Sequence, residues 1–412
     1  MFHCNLGRLR FQPRGIKGEK IMSTIYERSL IKHVEWKGKI ETRLKMEVNT
    51  KDDLSLAYSP GVAQPCREIA KNKEAVYDYT WKGNTVAVVT DGTAVLGLGD
   101  IGPEAALPVM EGKALLFKKF GGVDAIPICL DTKDPQEIIN IVKAMAPGFG
   151  GFNLEDISAP RCVTIERALI EALDVPVFHD DQHGTAIVVI AGLINSCKLI
   201  GKRPQDLTVV VSGAGAAGSS IVRMLNAFGV KDILVFNSKG VITKEDEAKY
   251  DFLQKEIAHM SNKDNRRVTL KEAMVDSDVF IGVSIANILT KDMVASMNKD
   301  AIVFAMANPD PEIPYDDAKA AGARIVGTGR SDFPNQVNNV LAFPGLFKGA
   351  LAVRARKISE EMKMAAAVGI ASLLNEEELN DDYIIPSPFD PRVADAVATA
   401  VSKQAIKQNL TR

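Results

Sequence analysis

The chain has little cysteine. Its five cysteines (Cys4, Cys66, Cys129, Cys162, Cys197) are an odd number in 412 residues, and no two form a C-x-x-C pair. That spacing supports neither a disulfide framework nor a thiolate zinc site, and it fits a reducing, cytoplasmic setting. There is also no surplus of either charge: 50 basic residues stand against 52 acidic ones, for a formal net charge of −2. So small an imbalance does not drive sequence-independent binding to nucleic acid or anionic lipid. Uninterrupted apolar runs are short, the longest lying around residues 186–193 and 207–211, against the roughly 18 residues that a bilayer-spanning helix needs. These shortages point away from nucleic acid and membrane and toward a small-molecule substrate.

What is present is a globular balance, 46% hydrophobic and 25% charged, in a chain long enough for two or three domains of about 150 residues each. Residues 1–21 differ in composition, with Arg8, Arg10, Arg14, Lys17 and Lys20 against Glu19 alone, ahead of Met22. An Arg-rich, acid-poor start is the mark of a transit peptide; the simpler reading is a leader upstream of a natural start at Met22, dispensable for folding. Residues 23–51 carry Ile25, Leu30, Val34 and Ile40 at helical intervals between charges and read as a subunit-contacting arm, so a homodimer is expected. A helix is expected over 65–76, after the turn at Ser59-Pro60-Gly61.

From residue 85 short apolar strands alternate with amphipathic helices: strands at 85–90, 125–130, 151–154 and 175–178, helices at 104–120, 135–145, 160–172 and 184–200. This is the pattern of a parallel sheet covered by helices. A break at Gly201-Lys202-Arg203-Pro204 precedes a second α/β unit. The fold class expected is therefore α/β, an N-terminal α/β domain with a parallel sheet (residues 22–190) followed by a C-terminal Rossmann-type dinucleotide-binding domain (191–412). The last helices, near 349–375 and 393–408, are expected to return and brace the first domain.

The second unit begins with a strand at 207–211, the loop Gly213-Ala214-Gly215-Ala216-Ala217-Gly218 and a helix at 219–228. In that setting Gly213 permits the tight turn, Gly215 lets backbone approach a pyrophosphate, and Gly218 allows close helix–strand packing. The helix N-terminus, with Ala216 and Ala217, offers amides to the phosphates. The next strand, 233–237, ends at Asn237, where an acidic side chain would hold the ribose of NAD. An amide neither demands NAD nor repels the extra phosphate of NADP, and Lys239 would attract it, so both cofactors stay open. Ser284, after a strand at 279–283, is a further cofactor-side candidate.

Two acidic pairs, Glu155-Asp156 and Asp180-Asp181, stand where strands end, the edge at which open α/β sheets build their sites. Carboxylates converging there repel one another unless a divalent cation neutralises them, and all-oxygen ligation suits Mg²⁺ or Mn²⁺. His179 and His183 bracket the second pair. A zinc-helix reading would need both on one helical face; with a strand closing at His179 and the helix expected from about 184, a structural role is the expectation.

The motifs Leu56-Ala57-Tyr58-Ser59-Pro60-Gly61, Thr90-Asp91-Gly92 with Leu96-Gly97-Leu98-Gly99-Asp100, Glu111-Gly112-Lys113, Asn153-Leu154-Glu155-Asp156 and Phe178-His179-Asp180-Asp181-Gln182-His183-Gly184 together resemble the malic enzyme family in its short form. Ala307-Asn308-Pro309 and Asn338-Asn339-Val340 extend the resemblance toward the C-terminus. It implies Lys113 as general base, Tyr58 as general acid, Asp180 as the carboxylate beside the base, and Glu155, Asp156 and Asp181 as metal ligands. Asn308, Asn339 and Asn338 would hold the substrate carboxylate, Asn308 also lying beside the cofactor. One departure is Ala94, where longer members carry an arginine for that carboxylate.

The activity implied is metal-dependent oxidative decarboxylation of L-malate to pyruvate and CO₂ with reduction of NAD or NADP. A lysine serves as base at neutral pH when burial or nearby positive charge lowers its pKa, so Lys113 is expected to be desolvated. Alternatives are an oxaloacetate decarboxylase or a malate-to-lactate enzyme in which net redox is secondary, and a non-catalytic dinucleotide sensor. A sensor has no need of Tyr58, Lys113 and a carboxylate triad.

Overall fold

A computed structural model describes residues 24–95 and 97–412; the leader at 1–21 and Leu96 of the glycine-rich motif lie outside the described residues. The chain divides into a short unit ending at Glu41 and a large one, Thr42–Arg412. In the short unit, helix α1 (Ile25–Trp36) opens on a capping box, with Thr24 Oγ1 accepting the Glu27 N–H and the Glu27 carboxylate accepting the Thr24 N–H. It closes at Lys37, whose φ of 55° is left-handed. None of its residues is buried. The continuous helix expected over 23–51 is thus cut short: in the large unit a second capping box, Thr50 with Asp53, starts a separate α2 (Lys51–Ala57).

After α3 (Ala63–Lys71) comes the first sheet, β1 (Thr85–Thr90), β2 (Asp124–Cys129), β3 (Gly151–Leu154) and β4 (Val177–His179), all parallel in the order β2-β1-β3-β4. Its covering helices are α4 (Pro103–Leu116), which runs into one wider turn at Phe117–Gly121, α5 (Pro135–Met145) and α6 (Arg161–Ala172). The two-residue period of a strand sends alternate side chains of β1 into different cores. Val86 and Val88 join Met110, Ala114 and Phe117 on one face, and Ala87 and Val89 join Ile138, Val142, Ile165 and Leu169 on the other.

Helix α7 (Asp180–Ile200) leaves β4 without a linker and carries the chain into the second sheet. It starts at Asp180 rather than near 184 because His179 caps it, Nδ1 accepting the Gln182 N–H at 3.3 Å. At 21 residues it is long and apolar enough by composition to cross a membrane, yet 72% of its apolar window is buried inside the protein. Sequence inspection missed this length because two aspartates and a histidine open the helix.

The second sheet is β5 (Thr208–Ser212), β6 (Asp232–Asn237), the short β7 (Gly240–Val241), β8 (Val279–Gly282), β9 (Ile302–Ala305) and β10 (Ile325–Thr328), in the order β10-β9-β8-β5-β6-β7. All pairs are parallel except β6 with β7. The chain goes one way from β5 to β6 and the other way to β8, so a crevice opens at the C-terminal end of β5. Helices α8 (Ala216–Phe228) and α9 (Phe252–Met260) flank that side.

The C-terminal helices α10 (Phe343–Ala352), α11 (Glu360–Ala371) and α12 (Val393–Lys407) do return to the first sheet. Phe117 lies edge-on to Phe343 and Phe347, with ring centroids 4.7 and 5.4 Å away, and Asn195 of α7 donates to the carbonyls of Ala371 and Ile384. Because Phe117 is fully buried where α4 meets α10, Phe117→Ala should cost about 3–5 kcal/mol, read as a lower urea midpoint.

Candidate active site

β3 and β4 pair in register, Leu154 opposite His179, so the residues that follow them emerge side by side. Glu155 and Asp156 come from one strand end, Asp180 and Asp181 from the other. One carboxylate oxygen from each of Glu155, Asp156 and Asp181 lies within 4.8 Å of the others. Asp156 takes a left-handed φ of 53°, uncommon for a residue with a side chain, and its N–H donates to Asp181 Oδ2 at 2.8 Å. Asn153 Nδ2 fixes Glu155 Oε2 at 2.8 Å. Asp180 and Asp181 occupy the first turn of α7, where the free amides and the positive end of the helix dipole favour anions. Gly184 makes room for this turn: a Cβ there would stand 2.1 Å from Asp180 Oδ1.

Glu155 and Asp156 are buried, whereas the Asp181 side chain is 38% exposed and opens the group to solvent. Burial pushes the Glu155 carboxyl well above its ordinary pKa; the Lys113 cation opposes this, and Asp181, Asp180 and Asp156 add to it. Three oxygen donors that resist sharing one small volume as anions are a fit for a hard divalent cation, Mg²⁺ or Mn²⁺.

Lys113 projects from α4 into this cluster with its side chain 8% exposed. Its Nζ lies 2.7 Å from Asp180 Oδ2 and 2.8 Å from Glu155 Oε1, and 4.3 Å from the centre of the Phe343 ring. The expected desolvation is present, but its consequence is reversed. Burial works to lower the lysine pKa, yet the charges of Asp180, Glu155 and Asp181 and the hydrogen bond to Asp180 outweigh it, and the pKa is raised. Spacing along the chain reveals the lysine without its anionic partners.

Asn339 Nδ2 donates to Asp180 Oδ2 and so joins the cluster. Asn338 sits next to it, its Oδ1 accepting the Val340 N–H at 2.9 Å to cap the turn Asn339–Leu341. Asn308 is exposed, and its carbonyl would meet a Cβ on Gly97 at 2.9 Å, which places it against the glycine-rich loop. Ala94 donates its N–H to the Asp156 carbonyl at 2.9 Å. Tyr58, at the end of α2, is 70% exposed, and the bonds that hold Lys113 Nζ come from Asp180 and Glu155; Tyr58 is not brought to the lysine. The metal-capable carboxylate group includes neither histidine. His183 is buried, with Nε2 3.0 Å from Glu166 Oε2 and Nδ1 2.8 Å from Ser220 Oγ, and burial holds its pKa below the usual value.

At the crevice beside β5, Gly213 has a φ of 117°, and a Cβ on Gly218 would fall 1.9 Å from the Gly213 carbonyl oxygen. Gly215 precedes α8, with no atom within 4 Å of where its Cβ would be, and the helix starts at Ala216, earlier than expected. Ala216 and Ala217 therefore present their amides in its first turn. A cleft of about 330 Å³ runs along Gly213, Ala214, Gly215, Asn237, Ser238 and Ser284. Asn237 Oδ1 accepts the Lys239 N–H at 2.8 Å. Ser284 Oγ lies 2.9 Å from Ser212 Oγ, and its N–H donates to Glu312 Oε1 at 2.8 Å. Sequence reasoning missed Glu312, which sits in a loop without motif, and Glu166, buried on α6. For Glu166 a signal existed: it falls one turn after Cys162 and one before Leu169 and Ile170, on the apolar side of the helix.

An oxygen-donor cluster at one sheet edge and a dinucleotide crevice at the next define a metal-assisted, nucleotide-dependent enzyme. Residues 37–137 match the family description "Malic enzyme, N-terminal domain" and residues 182–406 match "Malic enzyme, NAD binding domain"; the chain belongs to the malic enzyme family. It is 59% identical to a bifunctional malic/malolactic enzyme of Bacillus subtilis (strain 168), over 94% of this chain and 95% of that one. It is 54% identical to an NAD-dependent malic enzyme of Geobacillus stearothermophilus, over 96% and 82%. The crystal structure of a malic enzyme from Pyrococcus horikoshii superposes with a TM-score of 0.89 at 47% identity, covering 94% of this chain and 92% of that one.

Because the Gly213 carbonyl leaves no space for a methyl group at residue 218, Gly218→Ala should abolish NADH binding, measured as loss of the fluorescence change on titrating NADH.

Proposed function

We propose that the chain oxidises and decarboxylates L-malate to pyruvate and CO₂ with reduction of NAD or NADP. The observation that carries this reading is a buried lysine held between Asp180 and Glu155 at the rim of the three-carboxylate group. With a divalent cation neutralising the carboxylates that raise its pKa, Lys113 Nζ would be free to take the proton of the C2 hydroxyl, and the ammonium so formed is stabilised by Asp180. Glu155, Asp156 and Asp181 hold the divalent cation, and Gly213, Gly215, Gly218, Asn237 and Ser284 hold the dinucleotide. When bound, these cofactors supply a Lewis acid at the C2 oxygen and an acceptor for the C2 hydride. Asn308, Asn338 and Asn339 orient the substrate carboxylates, and Tyr58 delivers a proton to C3 after CO₂ leaves. The same groups serve malate-to-lactate conversion, the second activity in the name of the Bacillus subtilis relative.

We take residues 22–190 and 191–412 as the two domains, since each contains one sheet, and we place the protein in the cytoplasm on its cysteine usage. We further infer a homodimer. Ile25, Tyr26, Leu30, Ile31, Val34 and Trp36 of α1 are each more than half exposed, and so are Leu44, Leu54 and Leu56. Apolar surface of that extent is covered by a partner in a stable protein. A second copy is the occupant that also gives the exposed Tyr58 a lysine to serve.

Lys113→Ala should lower malate-dependent NAD(P)H formation by about 10²–10⁴-fold and spare oxaloacetate decarboxylation more. Asp181→Asn should abolish metal-dependent turnover of both substrates. Malate oxidation near the wild-type rate in Lys113→Ala would remove the lysine from the role of base. The double change Leu30→Glu with Ile31→Glu should shift the sedimentation mass from two copies to one copy of 44.6 kDa, with malate turnover falling in step.

A further inference from the structure

β4 gives way to α7 with no intervening residue, so the ligand Asp181 is placed by a bare strand-to-helix turn. What grips that turn is a carboxylate from another helix. Glu166 of α6 is 3% exposed; its Oε1 accepts the His179 N–H at 2.9 Å, and its Oε2 accepts Gln182 Nε2 and His183 Nε2, each at 3.0 Å. These three partners flank Asp180 and Asp181 on both sides.

The donors fix the protonation pattern. An ionised carboxylate only accepts, so His183 carries its hydrogen on Nε2. Its Nδ1 then accepts from Ser220 Oγ at 2.8 Å, and Lys363 Nζ lies 3.1 and 3.2 Å from the two ring nitrogens. His179 follows the same logic. Its Nδ1 is taken by the Gln182 N–H, which leaves the hydrogen on Nε2; this atom is buried without a hydrogen-bond partner and lies 3.9 Å from Asp181 Oδ2. Glu166 thus holds the backbone of the residue whose ring faces the ligand. The other two ligands, Glu155 and Asp156, lie in the loop that leads into α6, so one side chain ties together both ligand-bearing segments.

We propose that Glu166 is a positioning residue for the divalent-cation site, holding Asp181 against Glu155 and Asp156 before any cation arrives. This rests on the reading of those three carboxylates as ligands. Mutually repelling anions splay apart when their support is removed, and loss of such outer partners weakens metal binding by about 10–100-fold. In Glu166→Gln one acceptor oxygen becomes an NH₂ that meets another donor, so at least one of the three bonds is lost.

The test is Mn²⁺ binding to the full chain without substrate, read from the free-Mn²⁺ electron paramagnetic resonance signal, with NADH titration of the same samples and Asp181→Asn as control. Glu166→Gln should weaken Mn²⁺ about 10–100-fold with NADH affinity unchanged, and Gln182→Leu, which removes a single contact, should weaken it less. Unchanged Mn²⁺ affinity in Glu166→Gln, or in Gln182→Leu where the first variant does not fold, overturns the positioning role. Parallel weakening of Mn²⁺ and NADH marks general loss of packing and also overturns it. If the wild type takes up no Mn²⁺, or Asp181→Asn takes it up equally well, the ligand reading fails and the positioning role with it.

Discussion

The structure is organised around a single electrostatic constraint: four carboxylates, Glu155, Asp156, Asp180 and Asp181, are gathered at two adjacent strand ends. Like charges so close, three of them buried, oppose folding unless something offsets them. The protein supplies several partial offsets. Lys113 lies between Asp180 and Glu155, the start of α7 turns its dipole toward Asp180 and Asp181, and N–H groups of Asn153 and Asp156 bind Glu155 and Asp181. The remaining deficit is one that a hard divalent cation would offset.

This cluster stands where it does because the sheet is parallel. Every strand delivers its C-terminal end to the same edge, and the second sheet repeats the arrangement, with β5 presenting the dinucleotide loop. The C-terminal helices then seal the first sheet from behind, through Phe343 and Phe347 against Phe117. Lys113 owes its burial to that seal, since the Phe343 ring covers its ammonium.

Much of this was legible in the sequence. The β-branched runs at 85–90, 151–154 and 207–211 and the glycines of 213–218 carry strong local signals, and the acidic pairs announce themselves by position. What was not legible depends on partners remote in sequence. The raised pKa of Lys113 comes from Asp180, 67 residues away. The early start of α7 comes from the ring of His179 acting as a cap, a role that histidine types do not advertise. Tyr58, which its motif puts beside the lysine, stands exposed at the end of α2. The role of Glu166 depends on three donors from the turn between β4 and α7, 13 to 17 residues further along the chain.

Helix α7 has a mechanical meaning of its own. It contains no proline, spans 21 residues from Asp180 to Ile200 and is interior for most of its length, which makes it a straight strut of about 30 Å. Its first turn belongs to the carboxylate cluster, and its last turn leads into the sheet that binds the dinucleotide. A strut built into both sheets leaves no hinge between them at this point. Relative motion of the two halves at this point would have to bend or shift a packed helix.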